Sequence, residues 1–194
     1  MARTAEVKRK TKETDITLQL NLDGSGQAEI QTGLGFFNHM LNTVARHSGI
    51  DLNIKATGDL EVDEHHTMED VGICLGQAVT EALGDKKGIQ RFGWALCPMD
   101  ESLARVSIDL GGRAHFEWQM ALSLTRIGEI QSESFPEFFK AVASTGGMNL
   151  HMDLIRGKNL HHALEAMFKT FAQALRMAVS DTGTGVIPST KGSL

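Results

Sequence analysis

The chain has 194 residues, 41% hydrophobic and 22% charged, which is ordinary for a soluble globular protein and long enough to bury one sizeable core or two small lobes. A formal net charge of −5 argues against general affinity for nucleic acid. No apolar run approaches the roughly 18 residues that span a bilayer, and no apolar stretch follows the basic start as a secretory signal would, so a cytoplasmic protein with neither nucleic-acid nor membrane partner is expected.

In chain order, the basic N-terminal residues (Arg3, Lys8, Arg9, Lys10, Lys12) read as a solvated arm, because no aromatic residues interleave to stack on bases. Thr14 to Leu22 alternates through Ile16, Leu18 and Leu20, and Asp23-Gly24-Ser25-Gly26 supplies a turn before a short strand at Ala28 to Gln31, a pattern that predicts a hairpin. Phe36, Phe37, Met40, Leu41, Val44 and Ala45 mark a helix ending near Gly49, and Asp51 to Ala56 is a third strand. An acidic loop, Gly58 to Glu64, leads into a second helix carrying Val71, Cys74, Leu75, Ala78 and Val79.

A second pass begins at Glu101. Val106, Ile108 and Leu110 alternate before Gly111-Gly112, Ala114 to Leu122 is a strand, and Ser123 to Ser134 is a polar insertion. Phe138 to Ser144 is a helix, Met148 to Ile155 a strand, and a last helix carries Leu164, Met167, Phe168, Phe171 and Leu175. A constant offset of 88 pairs Glu13 with Glu101, and an offset of 98 aligns Gly49 with Gly147 and Leu52 with Leu150. Each half therefore reads strand, strand, helix, strand, helix. The expected fold class is α+β, with internally duplicated lobes at about 10–88 and 98–182, sheets covered by helices on one face, forming one domain over 1–194. Cys74 and Cys97 suit neither a disulfide framework nor a thiolate site and are expected as reduced, buried thiols.

Both of these final helices open on the same residues. His65-His66-Thr67-Met68-Glu69 recurs as His161-His162-Ala163-Leu164-Glu165, 96 residues on, a spacing that points to a metal site built by duplication. Residues four apart on a helix share a face, whereas adjacent ones diverge by about 100°. One metal can hardly take both histidines of a pair. The economical arrangement gives each i,i+4 His and Glu to one metal and lends the second histidine to the other, which predicts two metals. A pseudo-twofold duplication can bring the copies together within one chain or between chains.

The repeat sets His39 opposite Glu137, each at the start of a helix, and offers them as fourth ligands. His151, inside an apolar strand, is expected as a core histidine, and His115 as structural. A nitrogen-rich site with carboxylates favours a transition metal, and manganese, iron or zinc all fit the ligand types. It is not the zinc-protease arrangement, since the histidines are adjacent and the glutamate takes the ligand spacing.

These motifs, with Gly33-Leu34-Gly35-Phe36-Phe37-Asn38-His39-Met40, Pro98-Met99-Asp100-Glu101, Gly157-Lys158-Asn159 and Pro188-Ser189-Thr190-Lys191-Gly192, make the chain resemble the imidazoleglycerol-phosphate dehydratases over essentially its whole length. The resemblance implies a ribosomal protein S5 domain 2-like fold, two Mn(2+) per chain and a homo-24-mer with metals between subunits. It implies dehydration of imidazole glycerol phosphate to imidazole acetol phosphate in histidine biosynthesis, in which coordination of the imidazole favours its deprotonated form and helps expel the hydroxyl. It makes the metal ligands His39, His65, His66, Glu69, Glu137, His161, His162 and Glu165, although Glu137 stands where the family's pattern has a histidine. Arg91, Arg113, Lys169, Ser189 and Lys191 match the family's phosphate-binding positions. Lys169 also falls on the helix face of His161 and Glu165. Glu13, His47 and Asp100 are the candidates for the base that moves the carbon-bound proton. The competing readings are a binuclear metallohydrolase acting on a phosphate ester and a metal-storage or metal-sensing protein.

Overall fold

Two four-stranded sheets with one topology frame the molecule, a computed structural model that describes residues 3–120, 125–192 and 194. The first half runs β1 (Thr4–Lys10), β2 (Thr14–Asn21), β3 (Ala28–Gln31), α1 (Gly35–Ser48), β4 (Asp51–Gly58) and α2 (His65–Leu83). The second runs β5 (Phe92–Met99), β6 (Ser102–Asp109), β7 (His115–Gln119), the short β8 (Arg126–Ile127) and β9 (Ile130–Gln131), α3 (Ser134–Thr145), β10 (Asn149–Arg156) and α4 (Leu160–Val179). The strand orders β1-β2-β4-β3 and β5-β6-β10-β7 correspond position by position, with β2 antiparallel and β3 parallel to β4, as β6 and β7 are to β10. The fold class is the duplicated α+β arrangement, though each four-stranded sheet carries one strand more than its periodicity suggested, and the second half adds the β8–β9 ribbon.

The extra strands have a physical explanation. In place of a solvated arm, β1 pairs in register along β2, with Val7 buried beneath it. Its outward charges pair locally, Lys8 with Glu6 at 2.6 Å and Lys10 with Asp15 at 2.5 Å, while Arg9 points inward to Asp70 at 2.9 Å. An edge strand built from lysines and one inward valine carries almost no alternating apolar signal. Its counterpart β5 turns Phe92, Trp94 and Leu96 to solvent, which inverts the usual pattern.

The expected hairpin of β2 and β3 does not form, because β4 lies between them. The Asp51 carboxylate accepts the N–H groups of Ser25 and Gln27 at 2.8 and 3.0 Å, and Leu52 N–H donates to Gln27 O at 2.9 Å. The turn therefore folds onto the start of β4. Gly24 is needed there, since a Cβ would come within 2.4 Å of the Asp51 backbone nitrogen. In the second half, α3 starts earlier than its apolar spacing suggested, and β8 and β9 form a small ribbon within the polar insertion. Residues 121–124, where the expected strand ends and the insertion begins, lie outside the described residues. His151 is exposed on the open face of its sheet, its ring 5.5 Å from that of His115, so it is not a core histidine.

The helices lie between the sheets. α1 and α2 cover the first, α3 and α4 the second, and α2 packs on α3 as α1 packs on α4. One apolar core runs through both halves, with Phe37 against Phe138 at 5.1 Å and Phe139 against Phe168 at 4.7 Å. Cys74 sits inside it, its thiol pushed up to about 11 by burial; Cys97 is only partly buried. Gly72 and Gly76 let α2 approach α3 closely: a Cβ on either would meet a carbonyl of α3, of Phe138 or Val142, at 2.5 Å.

Gly76→Ala isolates that approach. Alanine in an exposed helix interior stabilises by about 1 kcal/mol over glycine, but here the overpacking should reverse the sign and cost about 1–3 kcal/mol. Urea unfolding of the two proteins measures it, and a more stable variant would show that the helices are not held at glycine contact.

Candidate metal centre

The two histidine pairs sit where helical geometry requires, at the first turns of α2 and α4. Asn159 caps α4, its side-chain oxygen accepting the N–H groups of His161 and His162 at 2.9 and 3.3 Å. Asp63 accepts the His65 N–H at 2.8 Å in the equivalent place. The rings within each pair diverge alike, at 88° for His65 and His66 and 83° for His161 and His162, with centroids 6.2 Å apart in both.

The first histidine of each pair turns to its own i+4 glutamate. His161 Nε2 lies 3.1 Å from Glu165 Oε2, and His65 Nε2 lies 3.7 Å from Glu69 Oε2. From α1, His39 Nε2 approaches the same Glu165 oxygen at 3.4 Å. Among the described residues, His39, His161 and Glu165 are the group whose donor atoms all fall within 4.8 Å of one another. Burial pushes the Glu165 carboxyl up, but Lys169, His39 and His161 outweigh it and hold the group below its ordinary range. The first-half set is more open: Glu137 pairs with Lys140 at 2.9 Å instead of joining His65 and Glu69.

The second histidine of each pair is held by a carboxylate that the motif does not reveal. His66 Nδ1–H donates to Asp59 at 3.0 Å, and His162 Nδ1–H donates to Glu101 at 2.8 Å. Both partners raise the histidine above its usual value. Glu101 Oε1 also accepts the N–H groups of Lys158 and Asn159, and with His162 these hold its carboxyl far below the usual range. A carboxylate on Nδ1 fixes the tautomer and leaves Nε2 with its lone pair free, the way metal-ligating histidines are supported. The repeat already paired Glu101 with Glu13, yet in the first half the partner is Asp59, whose N–H donates to the Glu13 carbonyl at 3.1 Å. That exchange hid Asp59 from the sequence.

The three base candidates lie beside different ligands. Asp100, in the β5–β6 turn at φ 47°, faces His162 Nε2 at 3.7 Å. Glu13 adjoins Asp59 and adds its charge to the field at His66. His47 shares a cavity of about 550 Å³ with Lys169, Trp94 and Cys97, and burial followed by the Lys169 charge lowers its pKa, so it is neutral at pH 7.

The five expected phosphate-binding residues do not form one cluster. Lys169 pairs with Glu165 at 2.7 Å. Arg91 is clamped by Asp109 at 2.7 and 3.2 Å and donates to Pro188 O at 2.8 Å, next to Ser189, whose Oγ accepts the Lys191 N–H. Arg113 is exposed and follows Gly112, which packs against Leu194 at the chain's end. Arg91 N–H also donates to Ala178 O. That anchors the Arg91 group roughly 25 Å from His161 along α4, at 1.5 Å per residue.

The family model described as imidazoleglycerol-phosphate dehydratase matches residues 32–175. An imidazoleglycerol-phosphate dehydratase of Granulibacter bethesdensis is 54% identical over the full length of both chains, and one of Exiguobacterium is 53% identical over 98% of this chain and 97% of its own. Among solved structures, the imidazoleglycerol-phosphate dehydratase of Staphylococcus aureus is 40% identical with a TM-score of 0.84, covering 92% of this chain and 99% of its own. That of Pyrococcus furiosus is 34% identical with a TM-score of 0.85, over 97% of this chain and all of its own.

Glu101→Ala should release a ring and a loop together. In metal-free protein, amide exchange at Lys158 and Asn159 should rise and the His162 ring resonances should shift while those of His66 stay put. Unchanged exchange at both amides would show that Glu101 does not hold this loop.

Proposed function

Because the chain belongs to the imidazoleglycerol-phosphate dehydratase family, and is thus a hydro-lyase of histidine biosynthesis, we propose that it works through two metal centres built from its duplicated histidine motifs. Imidazole glycerol phosphate loses water to give imidazole acetol phosphate. The observation that carries the metal proposal is the convergence of His39, His161 and Glu165, together with the carboxylates that hold Nδ1 of His66 and His162. This donor set fits a divalent transition metal: imidazole nitrogens with free Nε2 atoms, plus carboxylate oxygens.

In this reading His39, His161 and Glu165 hold one ion and His65, Glu69 and Glu137 the other, each completed by the second histidine of the opposite pair. Two manganese ions per chain are proposed, with iron or zinc compatible by ligand type. A bound metal would take the substrate's imidazole as a further nitrogen ligand and favour its deprotonated form. Asp59 and Glu101 keep the Nε2 atoms of His66 and His162 directed outward. One of Glu13, His47 and Asp100 accepts the carbon-bound proton, and the departing hydroxyl takes up a proton to leave as water. His47, uncharged at pH 7, has the lone pair this requires.

Arg91, Arg113, Ser189 and Lys191, with Lys169, are proposed to bind the phosphate as charge-assisted donors. The length of α4 separates most of them from His161, far more than a glycerol chain spans, which supports composite sites completed by neighbouring subunits of a homo-oligomer. The exposed Phe92, Trp94 and Leu96 of β5 are further support. We take the assembly to be the 24-mer that the family resemblance implies, each subunit being one domain of two repeats, at about 10–88 and 98–182. The described residues contain no helix long and apolar enough to cross a membrane, in keeping with a cytoplasmic role.

The test is turnover of imidazole glycerol phosphate by metal-loaded and metal-stripped protein. The expected product is an enolisable ketone formed without inorganic phosphate, lost on stripping and restored by manganese. Phosphate release, or full activity after stripping, would contradict the proposal.

A further inference from the structure

Glu64 immediately precedes His65, and its carboxylate is buried, with 5% of the residue exposed. Its Oε1 accepts the Gln131 N–H at 2.7 Å and the Ser134 hydroxyl at 2.8 Å. Ser134 is the first residue of α3, and Glu137 lies one turn further along that helix. A single oxygen atom thus ties the start of the helix bearing His65 and Glu69 to the start of the helix bearing Glu137. The positive end of α3 favours the charge there. A buried carboxylate is costly unless hydrogen-bonded, and an apolar side chain would fill the place more simply.

The second half carries an apolar, partly buried residue at the equivalent position. At the repeat offset the residue before His161 is Leu160, and α1 meets α4 through Phe36, whose ring lies 5.0 Å from that of His161. There the three donors already converge. Where α2 meets α3, among the described residues, Glu64 of the first half and the ribbon residue Gln131 of the second take this role instead.

We propose that Glu64 is a positioning residue for the first-half metal site, setting α3 against α2 so that Glu137 can join His65 and Glu69 on one ion. It touches neither metal nor substrate and acts through Ser134 and the backbone of Gln131. Resting on the two-metal reading above, it adds that the two sites are held by different means and can be weakened separately.

The experiment is manganese titration of the full-length protein by calorimetry, with the EPR spectrum of the bound ions as a second readout. The unsubstituted chain should bind two ions. Glu64→Leu, which copies the second half, should weaken one of them about 10–100-fold and leave the other unchanged. Glu64→Gln, which keeps an acceptor oxygen for both donors, should restore the affinity and the spectrum. Ser134→Ala should weaken the same ion, and it decides the matter if Glu64→Leu does not fold. Combined with Glu137→Gln, Glu64→Leu should add no further loss, because both act on one ligand. Equal affinities in Glu64→Leu and the unsubstituted chain, an equal fall at both ions, or a Glu64→Gln as weak as Glu64→Leu would each overturn the inference alone. An unsubstituted chain that binds no metal would overturn the two-metal reading and this inference with it.

Discussion

Successive residues on an α-helix project about 100° apart, and the use of this chain's histidines depends on that constraint. At the first turns of α2 and α4 it sends one ring of each pair toward its i+4 glutamate and the other toward a carboxylate on a different segment. One ion can hardly take both rings of a pair. The duplicated fold supplies a second pair, and α1 and α3 carry His39 and Glu137, the proposed further ligands, in corresponding places. The site is therefore a property of how the two halves pack, more than of either motif.

Packing at the helix layer is what holds those starts in register. Glycine contact between α2 and α3 and aromatic contact between α1, α3 and α4 fix the helices to within a side chain's width. The polar ties lie at the ends, where ligands emerge: Asn159 and Asp63 at the caps, Glu101 across the loop before α4, and Thr14 with Arg9 on Asp70, one residue past Glu69. Each is a capping bond, a hydrogen bond to a carboxylate or an ion pair near a candidate ligand, the kind of support that sets ligand orientation without touching substrate.

Much of this was legible in the sequence because helical patterns and exact repeats survive without context. The His-His-x-x-Glu spacing gave the ring divergence, and the offset between halves gave the pairing of His39 with Glu137. Other features were silent for identifiable reasons. β1 is an edge strand whose lysines balance local acids, so its inward face amounts to Val7, Ala5 and an arginine. β3 looked like the partner of β2 because turn chemistry at Asp23-Gly24 says nothing of Asp51, which draws that turn onto β4. His151 sits among apolar neighbours in sequence, yet strand alternation turns it to solvent. Asp59 and Glu64 were read only as part of an acidic loop, since their partners, His66 Nδ1 and the start of α3, exist only once the helices have packed.

The most direct test of the account counts metals. Analysis of purified protein saturated with manganese should find about two ions per chain, with His65→Ala and His66→Ala depleting different ones, because the helix aims the two imidazoles at different centres. Each variant should keep the ion it does not touch at least partly bound. One ion per chain at saturation, abolished equally by either substitution, would contradict the shared arrangement, even in a protein that dehydrates its substrate.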